Sequence, residues 1–406
     1  MLFRPARASD VDEICALLAS ATRGPAYVHA LLRADRCFDP GQFRVAWTHG
    51  RIIACARAAP RAVRLGSMTV PAATIGLVRT DSRYWGKRLA SSLLAECATA
   101  LSLEGRTLAP LVARRHDLFA RHGWHAVPRI ALQIPVDALR APHRPRPVVS
   151  RDGDVVGAPL RVHEAPRADL DGLVALHAEA NAERTGTAVR DRDAWLTVLD
   201  TLALRGGQAF VATRAGRTVG YAAAYPDGEN SERVEASELL LAPGDEAAWR
   251  PLLGAVADKF GAAATIHAVL PADYRARIAG ALGPEVTMRS DDTLMLRAID
   301  PARLLRDITP LLEARLNSAP TFPPSRVRVG PLRGGVTLCV AGGRVVVEPS
   351  RRDDPHALPE PALGALALGA GDVDAYLSPD APPELRATLG RLFPPQDWTY
   401  WRADAL

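Results

Sequence analysis

Residues 74–101, TIGLVRTDSRYWGKRLASSLLAECATAL, hold the residue types and spacing best suited to gripping a polyanion. The apolar run at 74–78 predicts a short buried strand. A polar turn follows at 79–82, then Arg83-Tyr84-Trp85-Gly86-Lys87-Arg88, a basic turn with one glycine. Leu89, Leu93, Cys97 and Leu101 recur at i, i+4, i+8 and i+12, which predicts a helix with one apolar stripe. The free N–H groups and positive dipole end of that helix would face an anion, and Gly86 would let the backbone come close. Strand, glycine turn and helix are therefore read as a pyrophosphate cradle. Many such units bind nothing, so the rest of the chain has to decide.

The chain has 406 residues, enough for two to three domains. It is 48% hydrophobic and 23% charged, the composition of a globular protein. Fifty basic against forty-five acidic residues is an excess suited to an anionic cofactor. It is far short of a nucleic-acid coat, and no Lys/Arg run with interleaved aromatics is present, so nucleic acid is not an expected partner. The five cysteines, Cys15, Cys37, Cys55, Cys97 and Cys339, are dispersed and odd in number, with no CxxC pair. That pattern predicts a reducing compartment. Cys15, Cys55 and Cys97 fall on apolar faces and read as small core residues. The N-terminus lacks an apolar signal core, and no run of about 18 apolar residues predicts a membrane span. The expected location is the cytoplasm, with no membrane partner and no bound metal.

Around the cradle the elements follow in order. Residues 3–6 read as a strand. A helix follows, with Asp10 as N-cap and Glu13 three positions on, a capping-box-like start, and with Val11, Ile14, Cys15 and Leu18 as its buried face. Residues 42–47 and 51–58 predict a hairpin about Thr48-His49-Gly50, and 61–70 a further strand. After the cradle come a strand at 107–111, a short helix at 116–122 ended by Gly123, and closing strands of the same unit at 124–134. Residues 137–159 are rich in Pro, Gly and charge and read as a linker.

Beyond the linker the pattern restarts. RADLDGLVAL at 167–176 echoes RASDVDEICAL at 7–17 with one residue dropped. QAFVATRAGRTVGYA at 208–222 echoes QFRVAWTHGRIIACA at 42–56 without a gap, Gly216 and Arg217 standing where Gly50 and Arg51 stand. Two echoes in one order predict a duplicated domain. The second copy lacks the cradle. Residues 243–256, PGDEAAWRPLLGAV, place Asp245 and Glu246 where a phosphate would meet like charge, and Pro251 removes a backbone N–H near the helix start. Residues 299–312 open a third region with a helix. Strands at 326–329, 335–340 and 344–348 predict a small antiparallel sheet, with helices at 361–368 and 383–392. The ending, with Trp398, Tyr400 and Trp401, is expected to pack.

An apolar strand, then Arg-x-x-Gly from Arg83 to Gly86, then an amphipathic helix resembles the acetyl-CoA site of the GCN5-related N-acetyltransferase (GNAT) superfamily. Phe119-Ala120-Arg121-His122-Gly123-Trp124 resembles that superfamily's closing aromatic-x-x-x-Gly-aromatic segment. The whole plan resembles the enhanced-intracellular-survival (Eis) family: a domain with the motif, a copy without it, and a sterol-carrier-protein-like domain. LGALALGAG at 363–371 and LGRLFPP at 389–395 before an aromatic tail are similar to that last domain.

The resemblance implies an α/β fold of two tandem GNAT-type domains, at 1–140 and 159–300, plus a small α+β domain at 301–406 that supplies the tail. It implies transfer of an acetyl group from acetyl-CoA to an amine, either a small cation such as an aminoglycoside or polyamine or a lysine. Gly76, Leu77 and Val78 would offer strand-edge groups to the pantetheine arm. Arg83, Tyr84, Trp85, Gly86, Lys87, Arg88 and Leu89 would surround the pyrophosphate. The base would be the chain's own terminal carboxylate, here that of Leu406. Its ordinary pKa of about 3.5 is poorly matched to an amine, so a water relay or a raised pKa would be needed. The family's acid is a tyrosine at the position of Phe119, which has no proton to give, leaving water, His116 or His122 as donors. The resemblance also implies a homo-oligomer, such as a hexamer. Two readings compete: a regulatory protein that binds acetyl-CoA without turnover, and a carrier of apolar ligands through the last domain.

Overall fold

The computed structural model describes residues 1–140, 158–165, 169–228, 230–317, 324–330, 335–351, 354 and 356–404. It is a mixed α/β protein with two seven-stranded sheets, a three-stranded sheet and, among the described residues, thirteen α-helices. No helix among them is long and apolar enough to cross a membrane.

The first part runs β1 (Leu2–Pro5), α1 (Val11–Ala19), α2 (Pro25–Ala34), β2 (Phe43–Thr48), β3 (Arg51–Leu65), β4 (Met68–Thr80), α3 (Leu89–Leu103), β5 (Leu108–Val112), α4 (His116–Ala120), β6 (His125–Ala126), β7 (Arg129–Pro135) and α5 (Val136–Arg140). The second runs β8 (Arg161–Glu164), α6 (Leu170–Ala180), α7 (Arg192–Leu204), β9 (Gln208–Arg214), β10 (Arg217–Pro226), β11 (Arg233–Leu241), α8 (Trp249–Lys259), β12 (Thr265–Val269), α9 (Ala272–Leu282), β13 (Thr287–Asp291) and β14 (Leu294–Ala298). The third holds α10 (Pro301–Asp307), α11 (Thr309–Asn317), β15 (Ser325–Val329), β16 (Val336–Ala341), β17 (Arg344–Pro349), α12 (Glu360–Ala367) and α13 (Pro383–Leu392). Asp300 caps α10 by accepting from the Arg303 N–H at 2.9 Å, and the expected single helix at 299–312 is two, broken at Ile308.

The hairpin echo is structural in detail. The β2–β3 turn places His49 and Gly50 at φ 46° and 77°, and the β9–β10 turn places Ala215 and Gly216 at φ 50° and 79°. Positive φ at both central residues matches the right-handed twist of paired strands. The register irregularity also recurs: Ile53 is skipped between Trp47↔Ile52 and Ala46↔Ala54, and Val219 between Thr218↔Thr213 and Gly220↔Ala212. In each copy the residue after the central strands donates back, Asp81 N–H to Ile53 C=O and Ala242 N–H to Val219 C=O, both at 2.9 Å.

The closing strands differ from the sequence expectation. Of residues 124–134, only β6 stays with the first sheet, whose order is β1-β2-β3-β4-β5-β14-β6. β7 crosses to the second sheet, ordered β13-β7-β12-β11-β10-β9-β8, where it lies between β12 and β13. β14 returns the exchange by pairing antiparallel with β5 from Leu294↔Val112 to Ala298↔Leu108. Each sheet is completed by a strand from the far side of the linker. The start of α1 also differs. Asp10 is held by Arg4 at 2.6 Å and by the Arg7 N–H at 2.7 Å, and Glu13 accepts from the Ile52 N–H at 2.7 Å. Ion pairing to a guanidinium outcompetes a neutral cap, so the capping box does not form at Asp10 and Glu13.

The third region packs on the first sheet. Val63, Leu65 and Val70 share one apolar core with Leu304, Leu338 and Leu389. The terminal aromatics are buried and join cores: Trp398 and Tyr400 lie in this one, Trp401 in the core of the second sheet.

Candidate active site

The predicted α3 stripe is buried along its length, Leu89, Leu93, Cys97 and Leu101 all being at most 4% exposed. That face pins the helix to the first sheet and leaves its N-terminus beside the end of β4. Gly86 has φ +79° and Arg88, the residue before the helix, φ +57°, so the chain makes a left-handed entry. The first N–H groups of α3 have no partner within the helix. They open on a cleft of about 600 Å³ bordered by Val78, Tyr84, Trp85, Gly86, Arg88 and Leu89. Arg79 borders it too, and Arg115 and Arg121 close the opposite wall from either side of α4. Its lining carries four arginines and, among the described residues, no carboxylate. Helix N-terminus, left-handed turn and guanidinium walls together fit a pyrophosphate.

The strand itself supplies the next part. β4 runs parallel to β5 only from Ala72↔Leu108 to Ile75↔Leu111. Beyond Ile75 the two strands part, and β4 is irregular there: Arg57 pairs with Gly76 and Cys55 with Arg79, so Leu77 and Val78 bulge opposite Ala56, with Leu77 at φ +49°. A bulge at a splayed edge turns backbone groups out of the ladder. A Cβ placed on Gly76 would meet nothing within 4 Å. Gly76 and Leu77 border a cavity of about 50 Å³ that also touches Asp35, Arg57, Thr74 and Thr197. A neighbouring cavity of about 30 Å³ shares Asp35, Thr197 and Thr201 and adds Arg61, Arg190 and Asp404. The cleft and the first cavity border successive residues of β4, Val78 and Leu77, and the far wall of the two cavities comes from Thr197 and Thr201 of α7 and from Asp404.

The expected site residues thus separate. Val78, Tyr84, Trp85, Gly86, Arg88 and Leu89 border the cleft, and Gly76 and Leu77 border the cavity. Arg83, Lys87 and Phe119 border neither. The Arg83 guanidinium turns back onto Asp81 at 2.5 Å and holds that carboxyl down at about 2. Lys87 Nζ stands 4.9 Å from the Tyr84 ring centre. Phe119 faces inward, edge-on to Trp124 at 6.3 Å. His116 Nδ1 lies 4.0 Å from Asp292. His122 borders a separate groove of about 680 Å³ between the outer face of α3 and Arg297, and burial, then Arg297, depresses its pKa. Leu406 lies outside the described residues. Burial pushes the Cys15 thiol up to about 11 and those of Cys55 and Cys97 to about 12, so none is a thiolate nucleophile.

The sequence reading missed several residues here. Arg115 and Arg121 lie where periodicity carries no signal, although the doublet Arg114-Arg115 before a short helix marks a basic rim. Tyr400 was expected only to pack. Its hydroxyl lies 2.7 Å from Thr74 Oγ1 on β4 and donates to the Asp404 carbonyl at 2.9 Å. Burial, reinforced by Asp404, pushes the pKa of Tyr400 up, so it stays a phenol.

Residues 3–127 match the family described as an acetyltransferase (GNAT) domain. The matched stretch includes every residue that lines the cleft, so the cleft lies in the part of the chain that matches a GNAT acetyltransferase domain. No curated protein sequence matches the chain. Among solved structures, a GCN5-related N-acetyltransferase from Anabaena variabilis is similar at TM-score 0.73 and 14% identity over 98% of each chain. One from Kribbella flavida is similar at 0.69 and 18% over 98% of this chain and 96% of that one. Eis1 from Mycobacterium abscessus is similar at 0.63 and 18% over 96% of each. At these identities the likeness is one of fold, and it extends over both large sheets and the third region.

Proposed function

We propose that the chain transfers an acetyl group from acetyl-CoA to an amine where the cleft and the first cavity border β4. The observation that carries this is the placing, side by side along β4, of a cleft with four arginines at a helix N-terminus and a bulged, splayed strand edge. The diphosphate would lie on the α3 amides between Arg88, Arg115 and Arg121. The pantetheine arm would pair with the free edge at Gly76–Val78, and the thioester would sit beside Gly76. Backbone donors fixed there would meet the negative charge that develops on the carbonyl oxygen as the amine attacks. The C–N bond forms as the C–S bond breaks, the amine loses a proton and the CoA sulfur gains one.

The proton acceptor is proposed to be the terminal carboxylate of Leu406. What supports it is the placement of Asp404: that residue lines the cavity, and two residues span no more than about 7 Å. The donor to sulfur is proposed to be water, because Phe119 has no hydroxyl and faces the core. Residues 159–300 would be a domain that kept the frame without the cofactor. Residues 301–406 would be the sterol-carrier-like support of the tail.

The inward Phe119 favours a second reading, acetyl-CoA binding without turnover. A mass-spectrometric screen separates the two. Acetyl-CoA is incubated with spermidine, kanamycin, lysine and a lysine-containing peptide. A mass gain of one acetyl group on any of them supports transfer. Thermal stabilisation by acetyl-CoA with no acetylated product selects the second reading, and neither effect removes both.

A further inference from the structure

The second sheet carries a buried carboxylate where the first has its open glycine. Along the matched hairpins Ala223 stands where Arg57 stands, and their ladder partners are Glu238 on β11 and Gly76 on β4. Glu238 Oε2 accepts from Arg190 Nη1 at 2.7 Å, and Arg190 Nε donates to Asp404 Oδ1 at 2.8 Å. The three side chains are at most 4% exposed. The guanidinium stands 4.9 Å from the Trp195 ring centre, and that ring is in turn edge-on to Tyr221. Burial acts to lower the pKa of Arg190, but Asp404 and Glu238 outweigh it and keep the guanidinium charged. From Asp404 the chain leads back to Tyr400, whose hydroxyl sits on Thr74, two residues before Gly76. A continuous line of contacts thus joins the place of the missing second centre to the wall of the first.

A buried arginine between two carboxylates is a poor source of stability beside an apolar cluster of the same volume. What a guanidinium fork supplies is direction, since its donors leave in fixed geometry. We propose that Arg190 is a positioning residue for acetyl transfer: through Asp404 it holds the C-terminal segment against the acceptor side of the first domain's cavity, with Glu238 as the second buried acceptor that aims it. The second domain has converted the place of its own reaction centre into a seat for the end of the chain.

The proposal rests on the acetyl-transfer reading, and its test keeps the two apart. The full chain and its Arg190→Met, Arg190→Lys, Asp404→Asn and Arg192→Ala variants are compared on the screened amine that the parent chain acetylates fastest. Arg190→Met is expected to lower kcat about 100-fold, the effect of misplacing a reacting group by about 1 Å. Its KM for acetyl-CoA should stay within about two-fold, because the cleft is untouched. Arg190→Lys keeps the charge without the fork and should recover about a tenth of the parent kcat. Asp404→Asn keeps the shape and should lose about ten-fold, which tests the link even where Arg190→Met does not fold. Arg192→Ala, in an exposed pair with Asp171, should match the parent chain. Carboxypeptidase followed by intact mass should trim Arg190→Met past Asp404 and leave the parent chain intact there. Parent-like kcat in both Arg190→Met and Asp404→Asn overturns the proposal, as does a loss carried equally by kcat and acetyl-CoA affinity. A parent chain inactive on all four amines overturns the acetyl-transfer reading itself and takes the positioning role with it.

Discussion

Replacing Gly86 separates the two ways in which the cleft is expected to hold a phosphate, by backbone shape and by charge. Gly86 has φ +79°, and a Cβ there would meet nothing within 4 Å. Gly86→Ala therefore opposes only the left-handed backbone, at a cost of about 1 kcal/mol. That corresponds to roughly five-fold weaker acetyl-CoA binding at most. Gly86→Asp adds a carboxylate facing the diphosphate. Two unit charges about 6 Å apart repel by about 1–3 kcal/mol between the dielectric of water and an effective value near 20. Backbone and charge together predict binding weaker by about 100-fold. Calorimetric titration with acetyl-CoA at low salt and in about 1 M NaCl checks both parts, because salt screens the charge contribution and leaves the backbone cost. Pro251→Ala, in the first turn of α8, should leave binding unchanged. Equal affinities for Gly86→Asp and Gly86→Ala at both salt concentrations would refute a phosphate beside this turn. A loss at Pro251 as large as that at Gly86 would refute a single working cleft.

If the terminal carboxylate is the base proposed above, adding residues after Leu406 should lower kcat by about 100-fold or more with acetyl-CoA affinity unchanged; full kcat in the extended chain excludes it as the base. Phe119→Tyr should leave kcat and its pH profile unchanged, because this side chain faces Trp124 and borders neither the cleft nor the cavities; a raised kcat with a new basic limb would instead make this position the proton donor. Asp291 lies between Arg129 and Arg402, at 3.4 and 2.9 Å. Burial alone would raise its pKa, but the two guanidinium groups outweigh burial and hold it at about 2, below the usual 3.8. The sign follows: this contribution to stability is complete above pH 3.8 and is lost as the pH falls toward 2. Asp291→Asn should therefore cost about 3 kcal/mol in urea unfolding at pH 7, because the buried Arg129 loses its carboxylate partner while Arg402 keeps Glu235. The gap between the two proteins should close near pH 2, and a constant gap would refute the ion-pair account.

The hairpins, their repetition and the helix after the glycine turn were legible because each is written in local chemistry: His49-Gly50 and Ala215-Gly216 meet the same demand for positive φ, and the stripe from Leu89 to Leu101 has helical period. The exchange of β7 and β14 was not legible. Arg129–Pro135 reads as a strand wherever it goes, and its choice of β12 over β5 is made by contacts more than a hundred residues away. The capping-box reading at Asp10 failed for a similar reason, since Arg4 enters from a neighbouring strand and claims the carboxylate. Within the candidate site, the residues from Tyr84 to Leu89 that border the cleft could be named from the sequence, apart from Lys87, which turns away. Those that complete it could not, because Arg115, Arg121, Arg190 and Tyr400 reach it from loops and from the far end of the chain.

The exchanged strands also set an order on synthesis. β5 leaves the ribosome with one edge open, and the strand that covers it, β14, follows roughly 180 residues later. At about 5–20 residues per second that interval is on the order of 10–40 s. For that time the nascent first half holds its cleft-bearing sheet without its closing strand. The cleft's own lining, residues 78–121, is made before that, but the sheet beneath it keeps an open β5 edge, and the cavities walled by Thr197 and Asp404 cannot form, until the later parts have been made.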